Sequence, residues 1–451
     1  MNIIVVGDGN VGYAIAEALS KEDCNVVLIE RNKETFKKAS AELDIITIKG
    51  SGYSASSLLS AGVRDADMLI AVTASDEMNM VCCLTSKKLG ARYTVARIRD
   101  PEYAIELDML KSELEIDLII NPEREIALEI SRIVRFPSAA DVETFVGGRV
   151  EMAEFRVLEN DPLVGIPLKK LAKTHSSILF CAVDRDSDTI IPNGEYEMQV
   201  GDMVFIAGEP FSVMQFFKNT GKYMDRIKNS MIIGGGKVAF YLARVLLEMG
   251  IKVKIIETDK DRCKELSEAL PKVMVICGDG TEQEILDSEN IEDTDAFITL
   301  SGNDEDNAMA SLYALRRDVK KIITLLNRAN YISILKSFGI DSVVSPMQTT
   351  SNMITRYVRS VQNSEGVFVE NLYKMLNGTV EVLEFTVTQD THFQNIKLMD
   401  LNLRKNLLIA AIVRKRKIIV PRGTDKIVEG DKVVVVALSG KIVDLNDIFA
   451  H

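Results

Sequence analysis

The sequence predicts an α/β fold in which two doubly wound parallel sheets are each followed by a small α+β module. Two observations predict the sheets. The glycine-rich stretches NIIVVGDGNVG and SMIIGGGKVA each follow a short apolar run, and β-branched runs alternate with helical patterns after both. That alternation is typical of parallel strands joined by crossover helices. The modules are predicted by later segments that alternate apolar and polar residues between turn signals, as short strands do.

Composition indicates a folded globular protein and excludes several classes. The chain has 451 residues, is 47% hydrophobic and carries a formal net charge of −12. A nucleic-acid binder usually shows a basic patch, so this class is not expected. The six cysteines form no C-x-x-C pair, so we expect no metal site, no disulfide framework and a reducing compartment. Residues 1–6 already form the first strand, so we expect no signal peptide, and the apolar runs are too short to insert in a bilayer.

The chain is duplicated from end to end. GDGNVG recurs in register as GGGKVA, and RDADMLIAVTASDEMN recurs as EDTDAFITLSGNDEDN. The later segments IIPNGEYEMQVGDMVFIAG and IIVPRGTDKIVEGDKVVVVAL also match. A repeat this long indicates duplicated domains rather than a solenoid. We therefore predict a first sheet unit at 1–124, its module at 140–225, a second sheet unit at 228–345 and its module at 367–451.

The first glycine cluster has the pattern of a Rossmann-like dinucleotide loop. Gly7 allows the tight turn after the strand, Gly9 lets the backbone approach a diphosphate, and Gly12 permits close helix–strand packing. The helix that begins near Asn10 presents free N–H groups and the positive end of its dipole to an anion. Glu30 ends the second strand, where an acid accepts hydrogen bonds from ribose hydroxyls and repels a 2′-phosphate. This pattern predicts NAD(H) or an adenine nucleotide rather than NADP.

Three further residues follow strands at the edge where an open α/β sheet binds ligands. Thr73 and Ala74 follow the fourth strand, and they fit either ligand contact or an ordinary helix N-cap. Arg97 ends the fifth strand, and it fits either a phosphate contact or a solvated strand end. The predicted first site consists of the glycine loop and these strand ends: Gly7, Asp8, Gly9, Asn10, Val11, Gly12, Glu30, Thr73, Ala74 and Arg97.

The second copy keeps the loop but moves its charges. Lys237 stands where the first copy has Asn10, Leu325 replaces Arg97, and Asp279 replaces Ser51. One cation is thus added beside the phosphate loop and another is removed. The second site could therefore bind a different nucleotide from the first, or none. The predicted second site consists of the equivalent loop and strand ends: Gly234, Gly235, Gly236, Lys237, Val238, Glu257, Asp279 and Ser301.

The sequence predicts no catalytic residue. A dehydrogenase needs an acid or base near the reacting carbon. The histidines are His175, His392 and His451, and none lies in a sheet unit. A lysine or tyrosine acid is not excluded by this argument, so an NAD-dependent oxidoreductase remains the alternative from another class.

The combined motifs resemble one family. The glycine loops, GSGYSASSL/GDGTEQEIL, ASDEMN, KKLGARYTVARIRDPEY and the two VGDMVF/EGDKVV segments are similar to the RCK (KTN) family, in the tandem order of TrkA-type peripheral subunits of Trk potassium-uptake systems. The resemblance covers essentially the whole chain. It identifies each module as RCK-C, and it implies NAD(H) and/or ATP/ADP as ligands and a homo-oligomeric ring of RCK domains in the cytoplasm. That ring would lie on the inner face of the membrane, docked on an integral-membrane, TrkH/TrkG-like potassium-translocating subunit.

The resemblance also implies that the helical patterns at 121–137 and 345–362 are crossover hinges. The same patterns would equally fit helices that only pack between domains. Two departures from the family pattern bear on the ligands. Ser51 replaces an acid common after the third strand, and the second copy lacks the strand-end arginine. A nucleotide-binding scaffold without a channel partner remains a further alternative. Which nucleotide activates, the coupling ion and the ring stoichiometry do not follow from the sequence.

Overall fold

A computed structural model gives the fold of the chain. It describes residues 1–7, 9–22, 24–100, 103, 111, 113–186, 188–362, 369–375, 379–438, 442 and 444–449. In that part of the chain, four sheets form in chain order, two parallel and two antiparallel. Each sheet falls within one of the four predicted segments, while the segment limits themselves stay a prediction.

The first sheet unit is a parallel sheet with the strand order β3-β2-β1-β4-β5-β6. The predicted strands all form, and the central ones, β1, β2, β4 and β5, are short and mostly buried apolar runs, as in a parallel sheet covered by helices. The strands are β1 Asn2–Val6, β2 Asn25–Glu30, β3 Ile46–Lys49, β4 Met68–Ala71, β5 Tyr93–Arg97 and β6 Leu118–Ile120. The helices are α1 Asn10–Ser20, α2 Lys33–Glu42, α3 Ala55–Ser60 and α4 Asp76–Leu89, with a 3-10 turn at Val63–Asp65.

The second sheet unit repeats this order as β14-β13-β12-β15-β16-β17. Its strands are β12 Asn229–Ile233, β13 Lys252–Glu257, β14 Met274–Cys277, β15 Ala296–Thr299, β16 Lys321–Leu325 and β17 Ser342–Val344. Its helices, numbered after those of the first module, are α8 Lys237–Glu248, α9 Lys260–Ala269, α10 Gln283–Ser288, α11 Asp304–Arg316 and α12 Ala329–Ser337, with a 3-10 turn at Ile291–Asp293. The sequence duplication is therefore a duplication of topology.

The two modules are antiparallel sheets with the orders β10-β9-β11-β8-β7 and β18-β19-β22-β20-β21. The first contains β7 Asp141–Phe145, β8 Val150–Arg156, α6 Leu168–Thr174, β9 Ile178–Arg185, β10 Asp188–Ile190, β11 Met203–Gly208 and α7 Pro210–Asn219. The second contains β18 Val369–Met375, β19 Val380–Thr386, β20 Leu407–Arg414, β21 Lys417–Ile419, β22 Lys432–Leu438 and 3-10 turns at Leu398–Asp400 and Leu445–Ile448. A shared apolar core packs the two sheets face to face, with Phe145 and Phe205 from one and Val382 and Val434 from the other.

Two long helices cross between the sheet units. Helix α5 (Pro122–Arg135) follows the first sheet, and its Ile126, Ile130 and Val134 pack in the core of the second unit. Helix α13 (Pro346–Gln362) follows the second sheet, and its Ile354 and Val358 pack in the core of the first. Both helices were predicted, and each begins at a proline in its first turn. The exchange ties each unit to its neighbour.

The repeated Gly-Asp step of the modules has a structural role. Asp202 is fully buried and accepts hydrogen bonds from Arg185 Nε at 2.7 Å and Nη2 at 2.8 Å. Asp431 is held in the same way by Arg414, at 2.9 Å from both nitrogens. Bidentate arginine–carboxylate pairs fix the relative orientation of the two side chains as well as neutralising their charges. Each aspartate therefore fixes a turn of its module.

Among the helices of the described residues, none has the length and apolar character needed to cross a membrane.

Candidate nucleotide sites

The first glycine loop leaves open space above the start of α1. A Cβ on Gly7 would lie 2.8 Å from Val72 Cγ2, and one on Gly12 would lie 3.2 Å from the Gly7 carbonyl, so both positions need glycine for packing. Gly9 has a φ of +152°, and a Cβ there would meet no atom within 4 Å. This is the arrangement in which backbone can approach a diphosphate. Asp8 and the side chain of Asn10 lie outside the described residues.

The predicted strand ends meet in a crevice beside this loop. The cavity has a volume of about 130 Å³, and Gly7, Thr73 and Ala74 are among its lining residues. The N-cap alternative for Thr73 and Ala74 is wrong, because Ser75 caps α4 by accepting a hydrogen bond from the Met78 N–H. We did not predict the next residues of the lining, which come from the ends of β2 and β3: Arg31, Ser51 and Tyr53.

A buried asparagine holds the fourth and fifth strand ends together in each unit. Asn79 Oδ1 accepts from the Thr73 N–H and hydroxyl at 2.8 Å, and its Nδ2 donates to the Arg97 carbonyl at 2.8 Å. Asn307 repeats the bridge between the Ser301 N–H (2.9 Å) and the Leu325 carbonyl (2.9 Å). Sequence reasoning missed both asparagines. The available signal was their position in the repeat, because DEMN in the first copy and DEDN in the second both end in asparagine.

Two further acids, in the first turns of α4 and α11, also connect strand ends. Asp76 accepts from the backbone N–H groups of Arg99 and Asp100, at 2.8 and 2.9 Å. Asp304 accepts equivalent bonds from Asn327 and Arg328. These carboxylates fix the loop after the fifth strand of each unit. Sequence patterns could not show this role, because the hydrogen-bond partners lie over 20 positions away in the chain.

The acid that ends the second strand of each unit accepts hydrogen bonds from backbone N–H groups in this structure. Glu30 is fully buried, and its Oε1 accepts from the Asn32 N–H at 2.6 Å. Glu257 Oε2 accepts from the Gly235 N–H at 2.6 Å, and its Oε1 accepts from the Asp259 N–H at 2.9 Å. Burial opposes ionisation of Glu257, but these backbone donors outweigh it and lower the pKa of its carboxyl. Ribose binding by either acid stays a prediction.

Arg97 does not line the crevice in this structure. Its Nη2 donates to Glu123 Oε1 at 2.7 Å, and both side chains are largely buried. Glu123 lies in the first turn of α5. The strand-end arginine therefore connects the edge of the first site to the crossover helix, and its phosphate contact stays a prediction.

The second glycine loop is packed as tightly as the first. Gly234 has a φ of +96°, and a Cβ there would lie 2.9 Å from the Ser301 nitrogen, which makes Ser301 the floor of the loop. Gly235 is closed in by Leu266 and Glu257, whereas a Cβ on Gly236 would meet no atom within 4 Å. The open position is again the second glycine of the fingerprint.

The remaining predicted residues of the loops and strands differ in what they offer a ligand. Val11 and Val238 pack against the cores of their units, so their side chains are committed to packing. Asp279 Oδ1 accepts from the Thr281 hydroxyl at 2.7 Å and N–H at 2.9 Å. Both hydrogen bonds lower the pKa of the exposed Asp279 carboxyl, and the bond from the hydroxyl has the larger effect. An exposed, ionised acid thus follows the third strand of the second unit.

Lys237 reaches out of its own loop to the first unit. Its Nζ lies 3.1 Å from Asp100 Oδ2, in the loop after β5. One turn along α8, the Tyr241 hydroxyl donates to the Arg99 carbonyl at 3.0 Å and accepts from Asn121 Nδ2 at 3.0 Å. We call this contact, formed by Arg99, Asp100, Asn121, Lys237 and Tyr241, the unit junction. The cation predicted for the second site therefore lies at the edge of the first.

On the other side of the pseudo-repeat, the described residues of the two units line a cavity. A cavity of 660 Å³ lies between Tyr13 and Lys38 of the first unit and residues such as Asn303, Asn327 and Arg328 of the second. The two halves thus share a scaffold but differ where they meet.

Comparison with known proteins agrees with this architecture. The TrkA-N domain model matches residues 3–122 and 230–346, and the TrkA-C domain model matches residues 152–221 and 382–450. A protein of Methanosarcina mazei named Trk system potassium uptake protein TrkA homolog 2 is 32% identical over 100% of both chains. Trk system potassium uptake protein TrkA of Haemophilus influenzae is 33% identical over 96% of this chain and 95% of its own.

Solved structures share the fold at lower identity. The GsuK RCK domain superposes with a TM-score of 0.63 at 17% identity and covers 97% of this chain and 92% of its own. The GsuK channel bound to NAD superposes with a TM-score of 0.62 at 16% identity, covering 97% of this chain and 77% of its own. The sheets, the crossover helices and the full-length matches lead to one conclusion: the chain belongs to the TrkA family.

Proposed function

We propose that this chain is the nucleotide-sensing regulatory subunit of a potassium-uptake system and has no catalytic activity of its own. Its ligands are NAD(H) and/or ATP/ADP, held by the two glycine loops and the strand ends predicted from the sequence. The full-length relatives named Trk system potassium uptake protein support this proposal. An NAD-bound RCK channel of the same fold agrees with the ligand class.

The unit junction is the observation that carries the proposal. The end of β5 contacts α5 through Arg97 and Glu123, and the loop after β5 contacts the second unit through Asp100 and Lys237. A nucleotide phosphate in the first crevice competes with Glu123 for Arg97. Helix α5 then responds at both ends, because its apolar face is packed in the second unit. A ligand shifts such an equilibrium only if it binds the two arrangements with different affinity.

The partner is an integral-membrane potassium-translocating subunit. The chain acts from the cytoplasmic face of the membrane as part of a homo-oligomeric ring of RCK domains. Nucleotide exchange changes the relative position of the sheet units, and the modules report that change to the ring. The crossover helices α5 and α13 act as the hinges.

A nucleotide titration tests the sensing part of the proposal. NAD, NADH, ATP and ADP are titrated by calorimetry into wild type, Arg97→Ala and Lys237→Ala. We expect Arg97→Ala to weaken ATP binding about tenfold and NAD binding less, because a hydrogen bond to a charged group is worth roughly 1.5–3 kcal/mol. Equal affinities in all three proteins would contradict the assignment, and net turnover of NAD with any small substrate would contradict the regulatory role.

A further inference from the structure

Two cysteines of the second sheet unit lie on elements that pack against each other. Cys263 lies in α9 and is 8% exposed, and Cys277 is the last residue of β14 and is exposed. Helix α9 packs on β14, and the Cys263 Sγ lies 3.3 Å from the carbonyl oxygen of Glu257, the residue that pairs with Cys277 in the sheet. The other cysteines, at positions 24, 82, 83 and 181, are all buried. Of the six thiols, Cys277 is therefore the exposed one, and Cys263 is its buried neighbour.

The two thiols differ in accessibility and state. The Cys263 Sγ–H donates to the Glu257 carbonyl at 3.3 Å. Burial, with the neighbouring Cys277 next, raises the pKa of Cys263 to about 11, so it stays protonated at neutral pH. Cys277 is open to a small oxidant. An exposed thiol beside a resolving cysteine is the arrangement of reversible redox sites.

The pair flanks the second nucleotide site. Cys277 pairs with Glu257 in the parallel sheet, and Asp279 follows two residues later. Helix α9 contacts the glycine loop itself, because Arg262 Nε donates to the Gly235 carbonyl at 2.8 Å. The equivalent positions of the first unit hold Phe36 and Lys49, so the pair occurs only in the second copy of the repeat.

We propose that Cys263 and Cys277 form an oxidant-modified dithiol site. Hydrogen peroxide accepts the sulfur electron pair of Cys277, which forms a sulfenic acid and releases water. The Cys263 sulfur then displaces the hydroxyl group, forming the disulfide, and its proton leaves with that hydroxyl as a second water. One peroxide is thus reduced and two thiols are oxidised. A cellular thiol reductant reverses the step by exchange.

The disulfide regulates the second site; this consequence rests on the proposed function. The cross-link joins α9 to β14 next to Glu257. It thereby favours the arrangement in which the Glu257 carboxylate accepts the hydrogen bond of the Gly235 N–H. A nucleotide phosphate competes for that donor. We therefore expect the oxidised protein to bind nucleotide at the second site about tenfold more weakly, within the usual range of site coupling.

The cross-link is tested on the full chain without nucleotide. Wild type, Cys263→Ser and Cys277→Ser are treated with hydrogen peroxide and mapped by mass spectrometry, with dimedone to trap sulfenic acid. We expect a peptide pair joined through residues 263 and 277 in wild type, a dimedone adduct at Cys277 in Cys263→Ser, and no adduct at Cys263 in Cys277→Ser. Absence of the joined peptides, with the protein folded by circular dichroism, overturns the proposal.

The regulatory consequence is tested separately. In a Gly9→Asp background, which disables the first site, ADP and NAD affinities are measured for reduced and oxidised protein, with Cys263→Ser as the control that cannot cross-link. An affinity unchanged by the cross-link overturns the coupling. If the reduced protein binds neither nucleotide, the proposed function of the second site fails, while the peptide map still decides whether the dithiol forms.

Discussion

Gly236 separates ligand binding from folding at the level of a single residue. It is the N-cap of α8 with a φ of −65°, and a Cβ there meets no atom within 4 Å. Aspartate is a better N-cap than glycine by a few tenths of a kcal/mol. Its carboxylate would nevertheless stand where a nucleotide diphosphate approaches. Packing therefore does not require glycine at this position, and a requirement for glycine here is expected only from the proposed ligand.

We expect Gly236→Asp to keep the melting temperature of the free protein and to abolish the nucleotide-induced stabilisation that belongs to the second site. Thermal unfolding with and without ADP checks this. Gly208→Ala is the opposite control, because its Cβ would lie 2.7 Å from Ile178 Cδ1 in the first module and should lower stability away from the loop. Identical ADP titrations for Gly236→Asp and wild type would show that the second site takes no nucleotide.

Glu129 is an acid that the fold holds at an energetic cost. It lies on α5, accepts from the Thr349 hydroxyl at 2.9 Å, and faces Asp141, Glu143 and Arg132. Burial, followed by the charge of Asp141, raises the pKa of its carboxyl from 4.5 to about 8. A carboxyl whose pKa is raised on folding makes the protein less stable as pH rises from the unfolded to the folded value.

We expect Glu129→Gln, which keeps an acceptor for Thr349, to stabilise the protein at pH 8 by about 1 kcal/mol or more, since each unit of pKa shift is worth 1.36 kcal/mol. The gain should shrink as pH falls and disappear below about pH 4.5, where the glutamate is protonated in both states. Urea unfolding at several pH values measures it. A variant less stable than wild type at pH 8 would contradict the assignment.

At the level of elements, α13 is fixed by a buried charge cluster. Arg359 is 2% exposed and donates to Glu22 at 2.7 and 2.8 Å and to Glu381 at 3.0 and 3.1 Å. Lys374 lies 3.0 Å from Glu22. Burial opposes ionisation of Glu22, but the Arg359 hydrogen bonds outweigh it and lower the pKa of its carboxyl. The cluster joins the first unit, the crossover helix and the second module.

We expect Arg359→Met to destabilise the protein by about 3–5 kcal/mol, because removing one partner leaves buried carboxylates uncompensated. Adding Glu22→Gln and Glu381→Gln should recover most of the loss. Chemical unfolding measures both variants. The contribution of Glu22 should persist above pH 4.5, its unfolded value, and fade as pH falls through the lower folded value. A single variant as stable as wild type would show that the cluster does not hold the helix.

The unit junction gives a second prediction for elements. Tyr241→Phe removes the hydroxyl that bridges Asn121 and the Arg99 carbonyl. We expect a stability loss of about 1 kcal/mol, together with loss of the change in α8 hydrogen exchange when nucleotide binds the first site. Tyr13→Phe is the matched control, because its hydroxyl bonds Glu42 within the first unit. Equal exchange responses in the two variants would mean that the junction does not transmit binding.

The whole molecule shows which features a sequence alone can predict. The strands, the crossover helices and the repeat could be predicted because each is specified by a local pattern that occurs twice. The direction of Lys237 could not, because Asp100 belongs to the other unit and meets it only after the helices cross. The same holds for Asn79, whose bonds to Thr73 and Arg97 depend on two strand ends meeting. The ligand contacts of the predicted site residues stay a prediction, and the junction emerged only from packing.

The central claim is that bound nucleotide, read through this junction, controls potassium movement. Its most direct test is potassium flux into proteoliposomes that contain the membrane subunit with or without this chain, measured in NAD, NADH, ATP and ADP. We predict flux that differs between at least two of these nucleotides, and no difference when the chain carries Gly9→Asp and Gly236→Asp. Flux that depends on the chain but is the same in every nucleotide would contradict the claim.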